Sequence, residues 1–149
     1  MHKILILVIA LVFAGVACNK NNLAYMDGTI EIANKKINID LAQTPDERQM
    51  GLSFRADLKE DQGMLFVFEN PSRYGFWMKD MNFPIDIIWI EGDTVVDITS
   101  NLSPQQGIAD KELISYYPKQ NVDKVLEVQG GWSEKYGLKI GDKVKISLP

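Results

Sequence analysis

The sequence predicts a β-dominated α+β fold: a single compact, barrel-like or rolled, mostly antiparallel sheet of about seven or eight short strands with two short helices. Two observations indicate this class. Short apolar or alternating runs recur along the chain between turn-forming residues, and only two segments carry helix signals. Residues 27–149 are also long enough for one domain with its own core, but not comfortably for two.

The first elements are a predicted hairpin and a capped helix. Residues 29–33 and 36–41 alternate between apolar and polar side chains around Asn34-Lys35, which is typical of a β-hairpin. Thr44 is then followed by a proline and, three residues after the threonine, by Glu47. This spacing is a capping box, so we expect a short helix that ends near Gly51.

The remaining strands are predicted from short runs bounded by turn residues. They are residues 64–68, 74–78, 85–90, 94–99, 122–128 and 143–148. An Asp-containing turn separates 85–90 from 94–99, so we expect these two strands to pair antiparallel. Residues 103–117 show little periodicity and predict a long irregular loop, whereas residues 132–136 predict a helical turn closed by Gly137.

One carboxylate stands inside the apolar run that follows Pro84. Asp86 is the only charged residue of the segment 85–90. An ionised aspartate in a buried strand is costly unless a cation or several donors meet it. We therefore expect Asp86 to belong to a charged cluster with at least one of Arg48, Arg55 and Lys79, either as a structural ion pair or at a cleft where its charge is used.

The N-terminal segment predicts export. A short positive start precedes an unbroken apolar run over residues 4–13 and a small-residue stretch that ends at Cys18, the only cysteine. This pattern predicts a signal peptide over residues 1–17 and resembles a bacterial lipoprotein signal, in which the cysteine receives the lipid. We expect Cys18 to anchor the protein in the bacterial cell envelope, at the inner or the outer membrane, through a tether over residues 18–26. The alternative is an ordinary exported protein cut nearby.

Removal of the signal segment restricts the available chemistry, because that segment contains His2, the only histidine. The remaining chain then lacks the Ser-His-Asp and Cys-His arrangements, a free thiol, and zinc sites built from His or Cys. We expect no metal site and no cofactor. The net charge is −4, and no basic stripe with interleaved aromatic residues is present, which argues against nucleic acid as a partner.

Several segments together resemble one known family. They are residues 44–55 (TPDERQMGLSFR), 63–68 (GMLFVF), 76–79 (FWMK), 84–86 (PID), 125–128 (VLEV) and 141–142 (GD). In order and spacing they are similar to the domain-of-unknown-function 192 family, whose members are small, frequently exported, compact β-rich domains. The resemblance implies no established activity. It implies only a set of signature positions: Arg48, Gly51, Arg55, Gly63, Met64, Phe76, Trp77, Met78, Lys79, Pro84 and Asp86.

Part of this set supplies the candidate ligand-binding residues, namely Arg48, Arg55, Trp77, Met78, Lys79 and Asp86. Guanidinium groups bind carboxylates, phosphates and sugar hydroxyls in a fixed geometry, which favours an envelope binding module for a small polar or anionic ligand or a polymer end. One alternative is an envelope hydrolase or transferase with Asp86 as general acid or base. Another is an accessory or assembly factor that contacts a protein through exposed Trp and Met side chains. The residues do not decide between binding and catalysis.

Overall fold

The computed structural model describes residues 27–148. The predicted signal peptide, Cys18 and the tether lie outside the described residues. The strands are β1 Gly28–Ile32, β2 Lys35–Ala42, β3 Gln62–Ser72, β4 Phe76–Trp77, β5 Ile85–Glu91, β6 Thr94–Leu102, β7 Ser115–Tyr116, β8 Val122–Gln129 and β9 Lys145–Ser147. The helices are α1 Pro45–Met50 and α2 Trp132–Lys135, and Asp110–Glu112 forms a 3₁₀ turn. No helix among these residues is long and apolar enough to cross a membrane.

Seven strands form one curled half-barrel sheet in the order β6-β5-β8-β3-β2-β1-β9. All neighbours pair antiparallel except β2 and β3, which are parallel. The predicted fold class is confirmed, including the antiparallel pairing of β5 with β6. Strands β4 and β7 form a separate two-stranded ribbon, so the predicted strand 74–78 is reduced to two residues. The predicted loop 103–117 contains β7 and the 3₁₀ turn.

Local sequence signals explain the first elements. The hairpin turn lies at Ala33 and Asn34, whose φ angles are 49° and 57°, so Lys35 already belongs to β2. At the start of α1, the Glu47 N–H donates to the Thr44 hydroxyl at 3.3 Å, and the Thr44 N–H donates to the Glu47 carboxylate at 2.9 Å. This is the predicted capping box. Gly51 ends the helix with φ 51°, a conformation that favours glycine.

The two faces of the sheet carry separate apolar cores. One face packs Ile39, Leu65, Ile88 and Val128 against α2. The other face packs Phe66, Ile87, Trp89 and Val125 beneath α1, the segment after it and the β4–β7 ribbon. Because successive residues of a strand point to opposite faces, the register assigns each charged strand residue to one core.

Register pairs Asp86 with Val128, and therefore places Asp86 on the α2 side of the sheet. On the α1 side, one row of paired residues crosses four neighbouring strands, from Asp40 on β2 through Met64 on β3 and Glu127 on β8 to Ile87 on β5. Two acidic residues thus stand in one row, separated by a methionine, on the face opposite Asp86.

Candidate functional site

Asp86 is fully buried and satisfied by backbone donors. Its Oδ1 accepts from the N–H groups of Asn101 at 2.7 Å and Gly131 at 2.8 Å, and its Oδ2 accepts from the Ser133 N–H at 2.7 Å. Gly131 is the N-cap of α2 and has no side chain to cap the helix, so Asp86 supplies that cap from β5. No Lys or Arg among residues 27–148 forms an ion pair with it. The prediction that Asp86 forms a charged cluster with Arg48, Arg55 or Lys79 is wrong, because three backbone N–H donors take the place of the cation.

The three expected cations have separate partners. Arg48 donates to the Gln43 and Val67 carbonyls, the latter at 3.2 Å, and its guanidinium lies 5.1 Å from the centre of the Phe68 ring. The structure therefore does not bring Arg48 together with Asp86, and the same is true of the other two cations.

Arg55 pairs with Asp40 at 2.7 Å on the α1 side of the sheet. Lys79 pairs with Asp110 at 2.6 Å on the surface, and the hydrogen bond that Lys79 donates to the Asp110 carboxylate raises the pKa of Lys79. Of the two remaining candidates, Met78 is fully buried in the core, whereas Trp77 is 48% exposed. Only Arg48, Arg55 and Trp77 among the predicted site residues lie at cavities on this side.

A buried carboxyl group without a hydrogen bond lies on the same side of the sheet. Glu127 is 4% exposed, and no donor among the described residues hydrogen-bonds to its side chain. Its row neighbours are Met64 and Ile87, which are apolar. Burial raises the pKa of Glu127 to about 8, although the charge of Arg55 acts in the opposite direction.

Glu127 lines a cavity of about 260 Å³ between the sheet, α1 and β4. Most of the other lining side chains are aromatic or apolar: Met50, Leu52, Phe66, Phe68, Tyr74, Phe76, Trp77 and Met81. Arg48, Gln49 and Ser53 also line it. A cavity with mostly apolar walls and a few polar groups, one of them with a raised pKa, has the composition of a small-molecule site.

The aromatic walls are ordered by ring contacts. Phe66 meets Phe76 edge to face with 4.9 Å between ring centres, and Phe76 meets Trp89 in the same way at 5.5 Å. Phe68 and Tyr74 are stacked at 3.6 Å. These contacts set the orientations of the rings, so the walls exist before any ligand arrives.

A second, larger cleft of about 980 Å³ adjoins this cavity, and Met50 and Gly51 line both. The Arg55–Asp40 pair lies in it, and the Oδ1 of Asp40 is buried without a hydrogen-bond partner. The site on the α1 side therefore contains two buried acidic groups, one paired with arginine and one alone.

Sequence reasoning missed Asp40 and Glu127. Glu127 stands between Leu126 and Val128 much as Asp86 stands between Ile85 and Ile87. The segment 122–128 also contains Asp123 and Lys124, however, so the criterion of a single charge in an apolar run did not identify Glu127. The criterion detects a buried carboxylate, but it does not show which face of the sheet is covered or whether backbone donors meet the group.

Two solved structures resemble this fold. A protein from Sinorhizobium meliloti 1021, described as a proposed transcription regulator, has a TM-score of 0.70 and 26% identity over 80% of this chain and 92% of its own. A protein of unknown function from Novosphingobium aromaticivorans DSM 12444 has a TM-score of 0.71 and 30% identity over 78% of this chain and 83% of its own. No curated protein matches the chain significantly.

The family comparison agrees with the motifs. The model of DUF192, described as an uncharacterized ACR, matches residues 28–146, which include both buried carboxyl groups and the aromatic cavity. The chain belongs to the domain-of-unknown-function 192 family.

Proposed function

We propose that the protein is a cell-envelope binding module that holds a small organic ligand in the cavity between α1 and the sheet. The observation that carries this proposal is the buried Glu127 carboxyl group, which has no hydrogen-bond partner among the described residues and lines an aromatic cavity. Its carboxyl oxygens are not fully enclosed by the protein, so they are open to the cavity and can hydrogen-bond to a molecule that is held there.

Part of the cavity rim is exposed apolar surface, which supports the same proposal. Met50 is 57% exposed and Trp77 is 48% exposed, and both line the cavity. A ligand bound between them removes apolar area from water, which stabilises the complex by about 25 cal/mol per Å².

Thermal shift tests the binding function on the purified full-length chain. A panel of neutral, anionic and cationic small molecules is screened for compounds that raise the Tm, because a ligand at a hundred times its Kd stabilises the folded state by about 2.7 kcal/mol. We expect hits on the wild type that are lost in Trp77→Ala and Glu127→Gln. Ile140→Ala, which removes an exposed side chain away from the cavity, is the control and should keep them. No hit, or hits that persist in both cavity variants, would refute the proposal.

Anchoring by lipid on Cys18 is the other part of the proposal, and it is supported by the sequence alone. When growing cells are labelled with a radioactive fatty acid, the wild type should become labelled. Cys18→Ala should take up no label and should no longer be found in the membrane fraction. An unlabelled wild type, or a Cys18→Ala variant that stays with membranes, would contradict lipid anchoring without affecting the cavity.

A second candidate function is an envelope hydrolase or transferase. It is favoured by the raised pKa of Glu127, about 8, beside the Arg55–Asp40 pair, because a neutral carboxyl group can donate a proton near pH 7. The proton donor would then be Glu127 and not Asp86, which lines none of the described cavities. Turnover of nitrophenyl glycosides or esters that disappears in both Glu127→Gln and Asp40→Asn would establish this alternative.

The description of the Sinorhizobium meliloti protein as a proposed transcription regulator does not extend to this chain. Binding to DNA draws most of its affinity from contacts between basic side chains and phosphates. The net charge of −4 does not favour such contacts, so we propose no nucleic-acid partner.

A further inference from the structure

Arg48 brings an unbalanced positive charge to the aromatic cavity. No carboxylate among the described residues forms an ion pair with it. Glu47, its neighbour on α1, accepts instead from the N–H groups of Gln43 and Thr44 at 2.9 Å each. The acidic group in the cavity lining is Glu127, which is protonated near neutral pH because its pKa is raised to about 8. The described residues that line the cavity therefore carry a net positive charge.

The guanidinium of Arg48 is fixed in place with one edge left over. Its Nη1 donates to the Gln43 and Val67 carbonyls, the latter at 3.2 Å, and the group lies 5.1 Å from the centre of the Phe68 ring. Its Nε and Nη2 donate to none of the described residues. The N–H groups on this edge point in the same direction and match the two oxygens of a carboxylate. Because the group is held before a ligand arrives, little conformational entropy is lost on binding.

Glu127 lies toward the other end of the cavity. Its partner in the sheet is Met64 on β3, whereas Arg48 bonds to the carbonyl of Val67, three residues further along that strand. The rise of a β-strand separates these two backbone points by about 10 Å. A protonated carboxyl group both donates and accepts a hydrogen bond, so Glu127 suits a hydroxyl group of a ligand better than a charged group.

The walls of the cavity are aromatic, and its volume is small. Phe66, Tyr74, Phe76 and Trp77 all line it. Flat apolar groups pack against such rings in offset or edge-to-face contacts. The volume of about 260 Å³ is below the range of sites for drug-sized ligands, which begins at about 300 Å³. The walls and the volume together therefore favour a ligand with a single flat ring or a body of similar size.

We propose that this cavity binds a small organic carboxylate with a flat apolar body and a hydroxyl group at its far end. Arg48 holds the carboxylate, the aromatic side chains pack against the body, and Glu127 forms a hydrogen bond with the hydroxyl. The inference rests on the proposed binding function and names the ligand class of that site. Inorganic phosphate can meet the same guanidinium, but it leaves the aromatic walls unused, so it should bind far more weakly.

Three matched ligands test the two ends of the site separately on the full-length protein. They are para-hydroxyphenylpropionate, the corresponding amide, which lacks the negative charge, and phenylpropionate, which lacks the hydroxyl. Calorimetry at about pH 7, where Glu127 is protonated, measures the dissociation constants, with inorganic phosphate as a further probe. We expect the wild type to bind the hydroxy acid at least about tenfold more tightly than the amide, and about fivefold more tightly than phenylpropionate.

Arg48→Met tests the carboxylate end, because it removes the cation and keeps an aliphatic side chain. The preference for the acid over the amide should disappear, while the preference for the hydroxyl should remain. Arg48→Lys keeps the charge without the second parallel donor and should retain a smaller preference for the acid, so the test does not depend on Arg48→Met alone. Lys59→Met is the control, because Lys59 lines the adjoining cleft and not this cavity, and it should bind all three ligands like the wild type.

Glu127→Leu tests the hydroxyl end. The row neighbours of Glu127 are Met64 and Ile87, so an apolar side chain fits this position and the variant should fold. The preference for the hydroxyl should disappear, while the preference for the acid over the amide should remain. Glu91→Leu is the matched control, because Glu91 ends β5 and does not line the cavity, and it should keep both preferences.

Several results would overturn the inference. Equal or tighter binding of the amide by the wild type, or a preference for the acid that survives in Arg48→Met, would refute the carboxylate class while leaving the binding function intact. An unchanged preference for the hydroxyl in Glu127→Leu would refute the hydrogen bond to Glu127. Binding of phosphate as tight as that of the hydroxy acid would refute the role of the aromatic walls. If none of the ligands binds, the ligand class is wrong, and the binding function then depends on the hits of the thermal-shift panel.

Discussion

Two buried carboxyl groups, Asp86 on β5 and Glu127 on β8, lie one residue apart along paired strands and face opposite sides of the sheet. Asp86 accepts three backbone N–H groups, from Asn101, Gly131 and Ser133. Glu127 accepts none from the described residues and lines an aromatic cavity. Both are buried to nearly the same degree, at 0% and 4% exposure.

The difference shows that burial alone does not identify a functional carboxylate. A buried charge costs several kcal/mol unless it is paired or hydrogen-bonded. At Asp86 the cost is offset by three backbone N–H donors, and by accepting from them the Asp86 carboxylate caps α2 and joins β5 to α2 and β6. At Glu127 it is avoided in the empty molecule by a raised pKa, so the group stays neutral until something in the cavity changes its environment.

The largest expected effect is the loss of Asp86. Asp86→Ala leaves three buried N–H donors without an acceptor, so we expect the free energy of unfolding at about pH 7 to fall by about 5 kcal/mol. Asp86→Asn keeps one acceptor oxygen and should lie between this variant and the wild type. Urea unfolding measures both, with the exposed Asp57→Asn as control. A loss below about 1 kcal/mol for Asp86→Ala would mean that the donors find other partners.

Removal of the Glu127 charge should have a smaller effect that depends on pH. In the wild type the folded-state pKa, about 8, is above the ordinary value of 4.5, so the folded state binds more protons between these values and stability falls as the pH rises through them. Glu127→Gln cannot titrate and should show no such fall. We expect similar stability near pH 4 and an advantage of about 3 kcal/mol for the variant near pH 9, partly limited by the unpaired amide.

Chemical unfolding across this pH range measures the free energy of unfolding of the wild type and of Glu127→Gln. Glu91→Gln is the control variant. A wild type whose stability is level between about pH 5 and pH 8 would show that Glu127 ionises normally in the folded state. The contrast with Asp86 would then disappear.

The smallest effect should come from Arg55, which acts on the Glu127 side alone. Arg55→Met removes the partner of Asp40, and because the pair is partly exposed we expect a loss of about 1 kcal/mol at pH 7. It also removes the positive charge that lowers the pKa of Glu127, so the titration of Glu127 should shift to higher pH. Lys59→Met, which removes another cation from the same cleft, is the control. If the pH midpoint of the Glu127 titration is the same in Arg55→Met as in the wild type, the charge of Arg55 does not act on Glu127.

Much of the fold was predictable because it depends on local signals. The capping box at Thr44, the hairpin before it and the apolar runs of β3, β5 and β8 all act within a few residues of the chain. The two-residue strands β4 and β7 were not predictable in this way, since they exist through pairing with each other across the residues between them.

Part of the candidate site could be predicted as well. Trp77, Arg48 and Arg55 were candidates because they belong to the signature positions that the family resemblance implies. The structure places Trp77 and Arg48 at the aromatic cavity and Arg55 at the adjoining cleft. The partner of Asp86 was predicted wrongly. Its donors lie 15, 45 and 47 residues away in the sequence and belong to the backbone, which carries no compositional signal.

The sequence by itself determined the strand periodicity, the helix cap and the presence of carboxylates within apolar strands, because these follow from the order of neighbouring side chains. Only the tertiary structure decided which carboxylate is satisfied and which faces a cavity. That choice depends on strand register, which sends Asp86 toward α2 and Glu127 toward the aromatic cavity. Register joins residues distant in sequence, and shifting it by one residue would exchange the faces on which the two groups lie.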